Sequence, residues 1–202
     1  MSDLINIIGI TGPSGAGKSL VCKYLEKKNI PVIDADKVYH SLLGKGSPCT
    51  TALIDEFGCE ILSPDGTPDR KKLGAIVFSS EEKLQRLNTI VLGFVIDKIN
   101  GMIEELSSGG EKNVVVDAPT LIESGFGKQC NYIISVLAPR GERICRICER
   151  DGITKEGAVL RIDAQKSDNF YIDNSHHVLY NDAEPDALYK KAEALFENIL
   201  SK

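Results

Sequence analysis

The stretch Gly12-Pro13-Ser14-Gly15-Ala16-Gly17-Lys18-Ser19 limits what this chain can fold into more than any other. It stands between an apolar run, Ile5 to Ile10, and a segment of helical period, Leu20 to Lys28, with Leu20, Val21, Tyr24 and Leu25 on its core side, so it occupies a strand-to-helix turn. The spacing is G-x-x-x-x-G-K-[ST], in which successive backbone N–H groups turn inward and a helix begins at a bound phosphate. Glycine is required where a side chain would block the backbone's approach to phosphate oxygens. Lys18 is expected to reach the outer phosphates of a nucleoside triphosphate, and Ser19 to offer its hydroxyl to Mg²⁺. Gly12, Ser14, Gly15, Ala16, Gly17 and Leu20 complete the expected nucleotide-binding stretch. What the phosphates are used for must be read elsewhere in the chain.

Further short β-branched or apolar runs recur at Pro31-Val32-Ile33, Val114 to Asp117, Asn131 to Leu137 and Val178-Leu179-Tyr180, separated by helical patterns. That alternation predicts an α/β fold, a three-layer α/β/α arrangement around a parallel sheet. The longest helical pattern is opened by Ser79-Ser80-Glu81-Glu82, which has the form of a capping box. Gly93 and Gly101 inside it predict a kink or close packing. A terminal helix with Leu188, Ala192, Leu195, Phe196 and Ile199 on one stripe closes the core.

Asp34 and Asp36 follow the second strand, at the edge where ligands bind in an open parallel sheet. Either can cap the helix that follows, and both can face a metal or an acceptor hydroxyl. Asp117 ends Val114-Val115-Val116-Asp117, the strand-end aspartate form that holds Mg²⁺ directly or through water. Arg143, Arg146 and Arg150 recur at i, i+3 and i+7 along one side of a helix, suited to neutralising a transferring phosphoryl group. The segment from Arg140 to Lys166 reads as a helical hairpin with little apolar surface, able to serve as a lid. Arg70 is a further candidate anion contact, with a surface ion pair as the alternative. His176 and His177 read as exposed strand-edge residues, and Cys145-x-x-Cys148 as ordinary thiols.

The net charge of −5 excludes a broad basic surface for nucleic acid. No apolar run reaches membrane-spanning length, and no secretory leader pattern precedes the first strand. A cytoplasmic protein is expected, with small molecules as partners, no nucleic acid and no membrane. Nothing in the sequence indicates an oligomeric state.

Several of these features in series resemble the dephospho-coenzyme A kinase family. They are the strand and phosphate loop, Asp34-Ala35-Asp36, Asp69-Arg70 with Leu73-Gly74-x-x-Val77-Phe78, and Asp117-x-Pro119-x-Leu121-x-Glu123. Arg146-x-x-x-Arg150-Asp151-Gly152 and Arg161-Ile162-x-x-Gln165 extend the match. The resemblance implies transfer of the ATP γ-phosphoryl group to the ribose 3′-hydroxyl of dephospho-coenzyme A, with Mg²⁺. It implies Asp36 as base or orienter for that hydroxyl, with Asp34 in support and Lys18, Arg143 and Arg146 at the transferring group. Arg70, Asp117 and Glu123 would complete the acceptor side, and Arg150 the nucleotide side.

The implied organisation is a nucleotide-binding core of residues 1–36, 111–138 and 175–202, an acceptor-binding helical region at 37–110, and a lid at 139–174. The chain departs from the family pattern at Leu92-Gly93, where His-Pro is usual, and at Ser175-His176, where Ala-Asp is usual. Its loop reads Gly-Pro-Ser-Gly in place of Gly-Gly-Ile-Gly, as in guanylate and uridine kinases. Another nucleoside or nucleotide kinase, or a nucleotide-dependent binding switch, are the alternatives. A GTPase would carry an Asn-Lys-x-Asp motif, and the chain has none.

Overall fold

A computed structural model describes residues 5–182 and 185–200. Five strands form one sheet: β1 (Asn6–Thr11), β2 (Val32–Asp34), β3 (Asn113–Asp117), β4 (Tyr132–Leu137) and β5 (His177–Tyr180). Their order is β2-β3-β1-β4-β5. The β1–β3, β1–β4 and β4–β5 pairs are parallel, with Gly9 opposite both Val116 and Ile133. Parallel neighbours require crossovers, and helices supply them on both faces of the sheet, so the expected α/β/α layering holds.

The chain divides into two compact units, residues 1–33 with 106–202, and residues 34–105. In the first, α1 (Lys18–Lys27) and α9 (Pro185–Leu200) enclose a core with the sheet. Ile8, Ile10, Val21, Leu25, Ile134 and Phe196 are among its fully buried side chains. The stripe read on the terminal helix is the buried one, with Leu195 at its margin. On α1 the buried face is Val21, Cys22 and Leu25. Leu20 and Tyr24, read as core, are only half-buried, and Cys22 takes the interior position.

In the second unit, α2 (Ala35–Leu42), α3 (Pro48–Phe57), α4 (Arg70–Val77) and most of α5 (Glu81–Ser108) surround a separate core of Cys49, Leu53, Phe57, Ile61, Leu73 and Val77. Leu84, Leu87, Val91 and Phe94 of α5 pack against it, as their spacing requires. α5 begins at Glu81, one residue later than a cap at Ser79 would place it, and the Ser79 hydroxyl donates to the Ile76 carbonyl at 2.6 Å. Gly93 and Gly101 face open space, so neither serves close packing.

Three more helices follow β4: α6 (Arg140–Asp151), α7 (Lys155–Asp163) and α8 (Asp168–Asp173). The α6–α7 pair is less polar inside than the sequence suggests. Ile147, Ala158 and Ile162 are buried together, with Ile144, Cys148 and Ile153 around them. Arg140 pairs with Asp163 at 2.6 Å, and Arg161 with Asp151.

These two cores lead to a stability prediction. Leu25→Ala and Leu53→Ala each empty a fully buried site in a different unit. Each is expected to lower the unfolding free energy by about 2–5 kcal/mol in denaturant titrations.

Candidate active site

β1 ends at Thr11, and the phosphate loop then turns directly into α1. Gly12 has φ +136 and lies against the Val136 backbone of β4, where a Cβ would collide with the carbonyl oxygen. Gly17 caps α1 with φ +103, and a Cβ there would enter the space filled by the Asn181 side chain. The N–H groups of Lys18 and Ser19, which open α1, have no acceptors within the helix, which leaves them for an anion. The Lys18 ammonium rests on the Gly12 carbonyl at 3.2 Å, Ser19 is exposed, and Leu20 is half-buried in the first turn. Ala16 is fully buried and fixes the inner wall.

Asp117 closes β3 opposite Ile10 of β1, with one carboxylate oxygen buried. Cys22, one helical turn beyond Lys18, hydrogen-bonds this carboxylate. Burial, and then the Asp117 charge, push the Cys22 thiol far above its ordinary range, so it stays a neutral donor. Two turns of α1 thus carry the lysine, the hydroxyl of Ser19 and a support for the strand-end carboxylate. A hydroxyl and a carboxylate are hard oxygen donors of the kind Mg²⁺ takes, with phosphates and water filling its remaining positions. Among the described residues no cluster of three histidine, cysteine or acidic side chains forms a metal cage of its own.

The three arginines of α6 separate into different environments. Arg146 donates to the Gly15 carbonyl at 3.2 Å and to Glu142 at 2.5 Å, and stays partly exposed. Arg150 is exposed and grips Asp151 through two bonds of 2.7 and 2.9 Å. Arg150 and Arg161 hold the Asp151 carboxyl down to about 2, so this pairing persists over any physiological pH.

Arg143 differs from the lid-face reading. It is only 4% exposed, and its guanidinium is occupied by the Ser14 carbonyl at 3.0 Å, Gln165 at 3.1 Å and Asp168 at 3.4 Å. Helical period alone put it on the arginine face. Packing of α6 against the loop turned it inward.

Glu123 is exposed in the turn after β3, and it and burial raise the Tyr171 phenol to about 12, burial being the larger cause. Ser175 and His176, at the position of the family's Ala-Asp, tie into the sheet. The Ser175 hydroxyl lies 2.6 Å from that of Ser135, and His176 Nδ1 accepts from the Ile133 N–H at 2.9 Å.

In the second unit, Asp34 is the cap of α2, accepting from the Lys37 N–H at 3.0 Å. Asp36 sits in the first turn of the same helix with its carboxylate exposed. Arg70 starts α4 and donates to the His40 ring at 2.7 Å. Of the two aspartates, Asp34 takes the cap.

Sequence reasoning missed Asn181 and gave Gln165 no role of its own. Both contact the loop. The available signal was the position of Asn181 directly after a strand, at the carboxyl edge of a parallel sheet.

Gly17→Ala forces an unfavourable backbone and displaces Asn181. The variant is expected to lose detectable binding of a nucleoside triphosphate in isothermal titration while keeping its far-ultraviolet circular dichroism.

The chain matches the family model for dephospho-CoA kinase over residues 6–186. It is 38% identical over 195 residues to the dephospho-CoA kinase of Fusobacterium nucleatum, covering 96% of this chain and 99% of that one. Its identity to the dephospho-CoA kinase of Shouchella clausii is 40% over 158 residues, 78% of this chain and 80% of that one. A solved Thermus thermophilus protein superposes with a TM-score of 0.80 at 29% identity, over 96% of this chain and 97% of that one. With its own phosphate loop and strand-end aspartate inside the matched span, the chain belongs to the dephospho-CoA kinase family.

Proposed function

We propose that the chain phosphorylates the ribose 3′-hydroxyl of dephospho-coenzyme A with ATP, giving coenzyme A and ADP. This is the last step in making coenzyme A. The family match over residues 6–186, joined to a glycine cradle with Lys18 beside it, is the observation that carries the reading.

The chemistry assigns the residues as follows. A bond forms between the acceptor oxygen and the γ-phosphorus, the bond from that phosphorus to the β–γ bridging oxygen breaks, and ADP leaves. Asp36 takes the proton of the 3′-hydroxyl, an act open to an exposed carboxylate. Asp34 fixes the first turn of the helix that carries it. Lys18 and the loop N–H groups hold the β- and γ-phosphates, and Arg146 and Arg150 offset the charge that spreads over the equatorial oxygens.

Arg150 must release Asp151 to do so. Ser19 and Asp117 would hold Mg²⁺, which neutralises the β- and γ-oxygens when bound. Arg70 offers a charge to the acceptor's own phosphates, and Glu123 borders the acceptor side. In this reading residues 37–110 receive the acceptor and 139–174 act as the lid.

Cytoplasmic placement is part of the proposal. All six cysteines are free, with Cys59 and Cys145 exposed, a usage suited to a reducing compartment.

Coupled assays test it. ADP is expected to form only when dephospho-coenzyme A is supplied, and Asp36→Asn to lower turnover by about 100- to 10,000-fold with ATP binding retained. Equal turnover with GMP or uridine would reject the assignment.

A further inference from the structure

Every carbonyl from Gly12 to Gly17 accepts a hydrogen bond. Two partners are local: Ala16 N–H donates to Pro13 at 3.2 Å, and Leu20 N–H to Gly17 at 3.0 Å. Lys18 takes the Gly12 carbonyl at 3.2 Å. The other three are consecutive, and each is held by a side chain from far along the chain. Arg143 Nε reaches Ser14 at 3.0 Å, Arg146 Nη1 reaches Gly15 at 3.2 Å, and Asn181 Nδ2 reaches Ala16 at 2.9 Å.

A trans peptide points its C=O and its N–H in opposite directions. Pulling the Ser14 carbonyl outward therefore aims the Gly15 N–H inward, and pulling the Ala16 carbonyl outward aims the Gly17 N–H inward. The intervening Ala16 N–H is already spent on Pro13. Arg146 acts on that spent peptide and is partly exposed, so it remains free to serve the nucleotide.

Arg143 and Asn181 have no such freedom. They are 4% and 2% exposed, and buried polar groups of this kind hold one geometry only when their bonds are made. Asn181 is fixed by its own N–H on the Leu137 carbonyl at 2.7 Å. Arg143 is fixed by Gln165, whose Oε1 accepts from both Arg143 and the Ser14 N–H at 3.1 Å, and whose Nε2 faces the Ser14 hydroxyl at 3.3 Å.

We propose that Asn181 and Arg143, with Gln165 behind Arg143, are positioning residues that act through the loop carbonyls to aim the Gly17 and Gly15 N–H groups at the bound phosphates. The inference rests on the loop's nucleotide-binding reading, and ATP titration of the parent protein without acceptor tests that reading separately.

Two variants test the inference. Asn181→Asp keeps the shape but sets a second acceptor against the Ala16 carbonyl. Arg143→Lys keeps the charge but cannot span Ser14, Gln165 and Asp168 together. Both are expected to raise the Kd and KM for ATP by at least about tenfold, with the KM for dephospho-coenzyme A changed less than about twofold.

A general loosening of the fold would weaken both substrates alike, and that result overturns the proposal. So does ATP affinity within about twofold of the parent in folded variants. If Asn181→Asp fails to fold by circular dichroism, Asn181→Ser and Arg143→Lys decide by the same two criteria. An absence of ATP binding in the parent would instead reject the nucleotide-binding reading itself.

Discussion

A cradle made of backbone has two sides, and satisfying one determines what the other can do. For the Gly15 and Gly17 N–H groups to converge on an anion, the carbonyls of the same peptides must point away and find donors, since a buried unpaired carbonyl is costly. Much of the first unit meets that demand. Strand β4 presses its Val136 carbonyl against Gly12, the residue after β5 holds Ala16, and α6 holds Ser14 and Gly15. The sheet order serves the same end. With β1 between β3 and β4, the loop emerges beside Asp117 on one hand and the α6 side chains on the other.

The parts legible in the sequence were those written in local pattern. The glycine spacing, the β-branched runs and the stripe on α9 each report a constraint on neighbours within a few residues, so their elements appear where the pattern puts them. Two kinds of feature were not legible. Periodicity gave α1 and α6 their buried faces only to within one side chain, which is why Cys22 displaced Leu20 and Tyr24 as core and Arg143 turned inward. Long-range partners of the loop left little trace. Gln165 and Asn181 meet it across more than a hundred residues of chain, and the one hint is the place of Asn181 directly after a strand.

Asp34 and Asp36, two residues apart, stand in different environments. The cap at Asp34 satisfies an otherwise orphaned N–H and sets the entry of α2, which stabilises such helices by about 0.5–2 kcal/mol. With that role filled, Asp36 in the first turn is free of structural duty and keeps an exposed carboxylate. It also stands where a helix favours negative charge. A base need not be buried to be useful in phosphoryl transfer, because that reaction depends more on alignment than on proton abstraction.

The arginines of α6 make the same point with charge. A guanidinium that is to follow a moving phosphoryl group must exchange partners, so it has to remain partly solvated and lightly held. Arg146 and Arg150 are partly solvated, and each would have to exchange the acidic partner on its own helix for the phosphoryl group. A guanidinium that is to hold backbone must not exchange at all. Arg143 meets this second condition, with burial lowering its affinity for the proton and Asp168 and Tyr171 opposing that effect. The cost of burying a charge is offset when every donor finds an acceptor, and the loop carbonyl is one of those acceptors. One helix therefore carries both partly solvated guanidinium groups and a buried one that holds the loop carbonyl, and burial is what separates them.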